Sequence, residues 1–442
     1  MTADRTLVER LRAEVADRLA ARDEVDGTPR AERTAAEQRR RSRQIASERL
    51  EAYARERLEA GKDALSADDE DEIARAIDDS LFGLAALQPL LEDESIENIN
   101  ANGCDECWVT RADGTKERGP SLAGSDAELV ELIRMAAARE GLSERRFDLG
   151  SPKLNVQLRD GSRLFAVMGV SRRPALSIRR HRFTKLTLDD LVGMGTLDTA
   201  LREFLGAAMG PAKLNTVICG GTSSGKTTLM RAAASEIPPH ERLVTIEDTL
   251  ELGLDRYPEL HPDVVALEVR EENIEGEGAI DAAQLVRMAL RMDPDRVIVG
   301  EVRGSEVLPM LNAMSQGNDG SMCTIHSNSS QAAFGRIAAY AVQSPERLAV
   351  EHTNVLIANA VDLVVFVGQD RVPGRRIRRF VTSVREVLHA EGPMVVSNEI
   401  FRPGPDGRAV PGVPLRHETR EALMAVGFDP AVLDRPGGWW GT

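Results

Sequence analysis

One short stretch constrains this chain more than any other: Gly220-Gly221-Thr222-Ser223-Ser224-Gly225-Lys226-Thr227. Its spacing is G-x-x-x-x-G-K-[ST], that of a phosphate loop. Before it, Asn215-Thr216-Val217-Ile218-Cys219 is apolar and β-branched and reads as a buried strand. After it, Thr228 to Ile237, with Leu229, Met230 and a series of alanines, reads as a helix. Strand, glycine loop and helix is the context such a loop needs. Glycines let backbone N–H groups curl round a phosphate chain without Cβ clashes, and the helix N-terminus adds its positive dipole end. Lys226 then reaches the β- and γ-phosphates of a nucleotide and Thr227 holds Mg²⁺.

The loop demands an α/β domain, and the sequence after it supplies one. From 212 to about 370, strands and helices alternate, which predicts a mostly parallel, covered sheet. Arg242 to Ile246 is a strand ending in Glu247-Asp248; Arg296 to Val299 is a strand ending in Gly300-Glu301; Ser321 to Ile325 is a strand ending in His326. An open α/β sheet binds its ligand at such strand ends. Ala282 to Met292 reads as a helix.

The rest of the chain is patterned differently. Residues 1–85 are rich in Ala, Arg, Glu and Leu. Leu7, Leu11, Val15 and Leu19 recur at helical spacing, as do Ile45, Leu50, Tyr53 and Leu58, then Ile73, Ile77, Leu81 and Leu84. Breaks at Gly27-Thr28-Pro29 and Gly61-Lys62-Asp63 divide them into a small helical bundle. Its basic run, Arg39 to Arg41, and its acidic run, Asp68 to Glu72, read as solvated faces, with a docking module as the alternative. Residues 86–185 read as an α+β domain, with a helix over Ala127–Glu140 and strands flanking the turns at Asp113-Gly114 and Asp160-Gly161. Residues 186–211 read as a linker with a helix. Residues 371–442 read as a C-terminal tail, with a hairpin round Glu391-Gly392-Pro393 and a helix over Arg416–Val426.

Charge and cysteine content narrow the function. With 56 basic and 71 acidic residues the net charge is −15, which argues against direct nucleic-acid binding as the main task. No apolar run reaches the length of a membrane span and the N-terminus lacks the apolar core of a signal peptide, which predicts a cytosolic protein with peripheral membrane association at most. Cys104 and Cys107 form a C-x-x-C without a second ligand pair, so a hairpin turn in a reducing compartment is the preferred reading over zinc, with a redox role as the alternative.

Hydrolysis needs a carboxylate to polarise water and one to help hold Mg²⁺. Glu301 follows an apolar strand, and Glu247, Asp248 and Glu251 line another strand end. His326 stands where it could sense a γ-phosphate, although a lone histidine is more often structural. Arg287 and Arg291, four apart on one expected helix, share a face that could stabilise a transferring phosphoryl group, with surface salt bridges as the favoured alternative.

Together these residues resemble the type II/type IV secretion and pilus-assembly ATPases, most like the CpaF/TadA branch. Thr245-Ile246-Glu247-Asp248-Thr249-Leu250-Glu251 resembles that family's acidic Asp box, Leu290 to Gly304 its Walker B segment with Glu301 in place of Asp, and Gly317 to Asn328 its His box. Ser177-Ile178-Arg179-Arg180 and Asp160-Gly161-Ser162-Arg163 fit the same branch. The resemblance covers about residues 86–370. It implies a RecA-like ATPase domain behind an α+β N-terminal domain, in a homo-hexameric ring on the cytoplasmic face of the inner membrane. ATP turnover there drives pilin assembly or export through an inner-membrane platform protein. It implies Glu251 as catalytic base, Glu301 as the Mg²⁺ and water acid and His326 as γ-phosphate sensor. Nucleotide contacts are implied along Gly220 to Thr228, with Arg287 and Arg291 in the ring active site. Arg163 and Arg179 would reach the nucleotide on closure. One departure is visible: Gly317-Asn318 stands where the family has Gly-His, and Asn cannot carry a proton. Two other functions share the motifs: a conjugative DNA-translocation motor, which the acidic charge disfavours, and a non-hydrolysing ATP-ordered scaffold, which the intact acidic motifs disfavour. The 1–85 bundle and the tail are where partner specificity is expected.

Overall fold

The computed structural model describes residues 5–440 except 27–34, 62, 64–65, 83, 141–145, 159–160, 181–184, 271, 273–276, 371–376 and 436. The Gly27-Thr28-Pro29 break, Lys62 and Asp160 of the sequence reading lie outside the described residues, as does the side chain of Arg39. The chain forms two units, residues 1–181 and 182–442.

The first unit opens with α1 (Arg5–Asp26), α2 (Ala35–Glu59) and α3 (Ala67–Phe82). Leu7, Leu11 and Val15, one helical face, meet Ile45, Leu50, Ile73 and Ile77 in one small core. After α4 (Gln88–Glu92) comes a six-stranded antiparallel sheet of β1 (Ile96–Asn102), β2 (Cys107–Arg111), β3 (Lys116–Arg118), β4 (Lys153–Gln157), β5 (Arg163–Val167) and β6 (Ala175–Arg179), in the order β3-β2-β1-β6-β5-β4. The period-2 alternation of β5 buries Leu164 and Ala166 under α5 (Asp126–Glu140) and leaves Phe165 exposed. Cys104 and Cys107 occupy the β1–β2 hairpin turn, closed by Asn102 N–H donating to the Glu106 carbonyl at 2.9 Å. Both thiols are free and buried, and burial pushes Cys107 up to about 11, so it stays a thiol at neutral pH.

The second unit is one nine-stranded sheet covered on both faces. Its elements are α6 (Leu188–Gly193), α7 (Thr199–Met209), β7 (Thr216–Gly220), α8 (Lys226–Ala234), β8 (Leu243–Glu247), β9 (Val264–Glu268), α9 (Ala282–Ala289), β10 (Arg296–Val302), α10 (Val307–Ser315), β11 (Met322–His326), α11 (Ser330–Gln343), α12 (Val350–Ala360), β12 (Leu363–Asp370), β13 (Arg378–Glu391), β14 (Met394–Pro403), β15 (Ala409–Pro411) and α13 (His417–Ala425). The order is β15-β14-β13-β12-β7-β11-β10-β8-β9. The six strands from β12 to β9 run parallel; β13, β14 and β15 add on antiparallel. Because both faces are covered, the parallel strands read as unbroken apolar runs. Ile218 and Ile298 face a core with Leu188, Phe204, Leu229 and Leu423; Val217, Cys219, Val297 and Val299 face a second core with Val286, Leu311 and Ile337.

Three expectations are changed by the packing. The stretch 186–211, read as a linker, carries two helices whose Leu188, Leu191, Phe204 and Leu205 are part of the sheet's core. The tail after 371 is not separate: β13 continues the sheet beside β12, and Phe401 packs on Phe204 with ring centroids 5.4 Å apart. The helix expected over 282–292 stops at Ala289. Asp293 takes a left-handed φ of 55° ahead of Pro294, which disfavours a helical residue before it. Arg291 therefore sits in the turn after the helix, and the shared helical face with Arg287 does not form.

Candidate active site

The loop between β7 and α8 stands at the C-terminal edge of the parallel strands. Gly225 caps α8 with a φ of 99°, a left-handed conformation that costs glycine nothing. Lys226 follows it at 7% exposure. Its ammonium donates to the Gly221 carbonyl at 3.1 Å and the Gly220 carbonyl at 3.3 Å, and lies 3.3 Å from His326 Nδ1. The Ser224 N–H also donates to the Gly221 carbonyl, at 3.3 Å. Two donors thus converge on one carbonyl oxygen, as they would on a phosphate oxygen. Burial lowers the pKa of Lys226, and the nearby Glu301 charge opposes that shift. Thr227 is half-buried and Thr228 exposed in the first turn of α8, while Thr222 and Ser223 are exposed at the loop crest.

Neighbouring strands bring the rest. Register pairs His326, at the end of β11, with Gly220 at the end of β7, so strand alignment alone puts the imidazole beside the loop lysine. An ammonium only donates, so His326 Nδ1 accepts and Nε2 carries the proton. Nε2 lies 2.5 Å from Glu301 Oε1, in contact but not aligned as a hydrogen bond. Glu301 Oε2 accepts from Arg303 Nε at 2.9 Å, and Arg303 Nη1 donates to Asp248 at 2.7 Å. Lys226, His326, Glu301, Arg303 and Asp248 form one polar chain from the start of α8 across the ends of β11, β10 and β8.

Glu247 lies behind this chain. It is 5% exposed, and its Oε1 accepts the backbone N–H groups of Glu251 and Leu252, both at 3.0 Å. Burial outweighs those two bonds and pushes its pKa up to about 8. Its Cγ would be 2.9 Å from a Cβ on Gly300, so glycine at 300 is what lets β10 pass this side chain. Glu247 thereby fixes the backbone at Glu251, whose own side chain is half-buried. Arg231 on α8 is close enough to feel the charges of both carboxylates.

The remaining expected residues are distributed more widely. Arg287 on α9 is half-exposed and pairs with Glu346 at 3.2 Å, beside a cavity of about 270 Å³ lined by Leu290, Leu308 and Asn312. Arg291 is exposed. Asn318 donates its side-chain amide to the Pro294 carbonyl at 2.6 Å, tying the start of the His box to the turn before β10. In the first unit, Arg163 and Arg179 are directly opposite each other on β5 and β6. Like charges so placed repel, and Arg163 Nε donates to Asn155 Oδ1 at 3.2 Å. Sequence reasoning gave no role to Arg303 and named Asp248 only among the strand-end acids. The arginine two residues past Glu301 was the available signal.

The donors around the loop suit a hard divalent cation. The Thr227 hydroxyl and the carboxylate of Glu301 are oxygen ligands, and Glu301 Oε1 is buried without an aligned donor. Residues present at the site therefore fit Mg²⁺.

A covered parallel sheet with a lysine-bearing phosphate loop, and with histidine and glutamate at adjacent strand ends, defines a RecA-like P-loop ATPase that turns ATP into ADP and phosphate. The sequence profile of the family described as Type II/IV secretion system protein matches residues 83–373, and the chain belongs to that family. The conjugal transfer protein TrbB of Rhizobium radiobacter is 30% identical over 326 residues, 72% of this chain and 91% of that one. The type IV secretion system protein VirB11 of Brucella suis is 32% identical over 318 residues, 65% of this chain and 84% of that one. The X-ray structure of the ATPase DotB of Legionella pneumophila aligns with 69% of this chain and 80% of its own at 19% identity and a TM-score of 0.50, a likeness of fold. The chain is thus a secretion-system ATPase. Among the described residues no helix is long and apolar enough to cross a membrane.

Proposed function

We propose that the chain is a homo-hexameric motor of the CpaF/TadA type. It would sit at the cytoplasmic face of the inner membrane, powering assembly of a Tad-like type IV pilus or export through a type II or type IV secretion machine. The observation that carries the reading is the polar chain from Lys226 through His326 to Glu301, because it ties the state of the phosphate loop to the candidate water-polarising acid. The ammonium is held by the Gly220 and Gly221 carbonyls and lies beside His326. A γ-phosphate is the stronger, charged acceptor and draws Lys226 away. His326 is then released from Lys226; to bond a phosphate oxygen it has to present a protonated ring nitrogen, since two acceptors do not bond each other.

Thr227 and Glu301 would hold Mg²⁺, which when bound offsets charge on the β- and γ-phosphates. Glu251, positioned through its backbone by Glu247, would take the proton of the attacking water. Glu247 itself, which burial pushes up to about 8, would serve as a support. Arg163 and Arg179, a repelling pair by register, would meet the nucleotide's phosphates from the N-terminal domain. Arg287 and Arg291 would act at the ring interface. The 1–85 bundle and the residues beyond 371 would supply contacts to an inner-membrane platform protein.

A second reading is favoured by the names of the relatives, one of which is a conjugal transfer protein: a motor of DNA transfer. Turnover by the purified protein separates the two. Lys226→Ala abolishes ATP turnover, and Glu251→Ala binds ATP but turns it over at least about a hundredfold more slowly, the range for loss of a general base. Normal turnover by Glu251→Ala would sink the mechanism. DNA-stimulated turnover with steep salt dependence would replace the pilus or export reading by the DNA one.

A further inference from the structure

We propose that Arg379, on β13, is a nucleotide-positioning residue that presets the crest of the phosphate loop, with Gln369 on β12 as its partner. This rests on the ATPase reading of the loop and adds, in Arg379, a residue from the part of the chain that looked like a separate tail. Strand β12 runs parallel to β7, and register pairs Val367 with Gly220, so the residues after Val367 run alongside the loop. Across the next ladder Gln369 is directly opposite Arg379. Side chains opposite each other on paired strands share a face. Both reach the loop, and they take consecutive carbonyls. Gln369 Nε2 donates to Thr222 at 3.4 Å, and Arg379 Nε donates to Ser223 at 2.9 Å. Arg379 also lies over the last glycine of the loop: its Cδ is 3.4 Å from the point a Cβ on Gly225 would occupy.

The consequence follows from peptide geometry. In a trans peptide the C=O and the next N–H point in opposite directions. Holding the Thr222 and Ser223 carbonyls outward, toward β12 and β13, turns the N–H groups of Ser223 and Ser224 to the opposite side. The Ser224 N–H is there bonded to the Gly221 carbonyl, the same acceptor that Lys226 uses. Ser223 itself holds a left-handed φ of 59°, a conformation a serine keeps only with outside support. Arg379 gives that support from the side of β12 and β13. A loop preset in this way spends less ordering entropy when the phosphates arrive, so the effect appears in ATP affinity and not in the chemical step.

The test is titration of the full-length chain with a fluorescent ATP analogue in Mg²⁺ buffer, beside steady-state turnover and thermal melting. Arg379→Ala should raise Kd and KM about tenfold, the loss of one charge-assisted hydrogen bond, with kcat at saturating ATP within about twofold of wild type. Arg379→Lys should recover part of the affinity, since an ammonium can still donate to the Ser223 carbonyl. Gln369→Ala should weaken binding less, its bond being longer and uncharged. Arg378→Ala removes the same charge one residue away, from a side chain bonded to Asp370 at 2.8 Å, and should leave Kd unchanged. Wild-type affinity in Arg379→Ala would overturn the proposal. So would equal weakening by Arg378→Ala, or a fall in kcat with Kd unmoved. Failure of the ATPase reading would look different: Lys226→Ala would bind the analogue as wild type does.

Discussion

Replacing Glu247 by Gln separates the support of the site from its chemistry, and the outcome can be worked out in advance. The carboxyl is raised from 4.5 to about 8 by burial. Between those values the folded protein keeps the proton and the unfolded chain has lost it. The unfolded state therefore binds fewer protons, and stability falls as pH rises, by about 1.4 kcal/mol per pH unit, levelling off above the folded pKa. Over the window from pH 6 to pH 8 the loss is about 2 kcal/mol once partial titration near 8 is included. A glutamine does not titrate, and its amide oxygen can occupy the Oε1 position, which takes both backbone N–H groups at 3.0 Å. The variant, already ahead at pH 6 because the unfolded carboxyl ionises near 4.5, should gain about a further 2 kcal/mol on wild type between pH 6 and pH 8. For a unit of this size the gap corresponds to roughly 6 °C in melting temperature. Other titrating groups are common to both proteins, so the difference between their melting curves isolates this one. Parallel decline of the two proteins between pH 6 and pH 8 would refute the buried-carboxyl assignment. A drop in turnover with the fold intact would show that the carboxyl also takes part in the reaction.

Two further perturbations test how β10 is held. Arg296 is fully buried, paired with Glu241 at 2.6 Å and donating to the carbonyls of Met209, Gly210 and Gly320. Arg296→Met leaves that carboxylate buried without its guanidinium and should cost about 3–5 kcal/mol in urea unfolding, partly recovered in the double variant with Glu241→Gln; a midpoint equal to wild type would refute the pairing's importance. Gly300→Ala would push Glu247 off its two backbone donors. It should cost about 1–3 kcal/mol and slow turnover together, and a stable, fully active alanine variant would contradict the close approach.

The phosphate loop, the acids at 247, 251 and 301, and His326 were legible because each lies where an apolar strand ends, and such ends share one edge of a parallel sheet. In the first unit β2 to β5 were legible from alternation and turn signals, whereas β1 and β6 at the middle of the sheet were not read as strands. What sequence spacing overstated was the Arg287–Arg291 pair: the expected helix runs into Asp293-Pro294 and stops early, so four residues of separation no longer means one face. The helices in 186–211 were read as a linker because a short amphipathic segment does not reveal which sheet it will cover.

The sequence by itself determined the nucleotide chemistry, since a glycine loop, its lysine and the strand-end acids are local patterns with local physical causes. Only the tertiary structure decided what surrounds them. His326 reaches Lys226 through the β7–β11 register, Arg296 finds its carbonyls on α7 and before β11, and Arg379 meets Ser223 across a sheet ladder 156 residues further along the chain. Those contacts depend on strand order and register. Burial of the whole sheet fixes both, and no short window of residues encodes either.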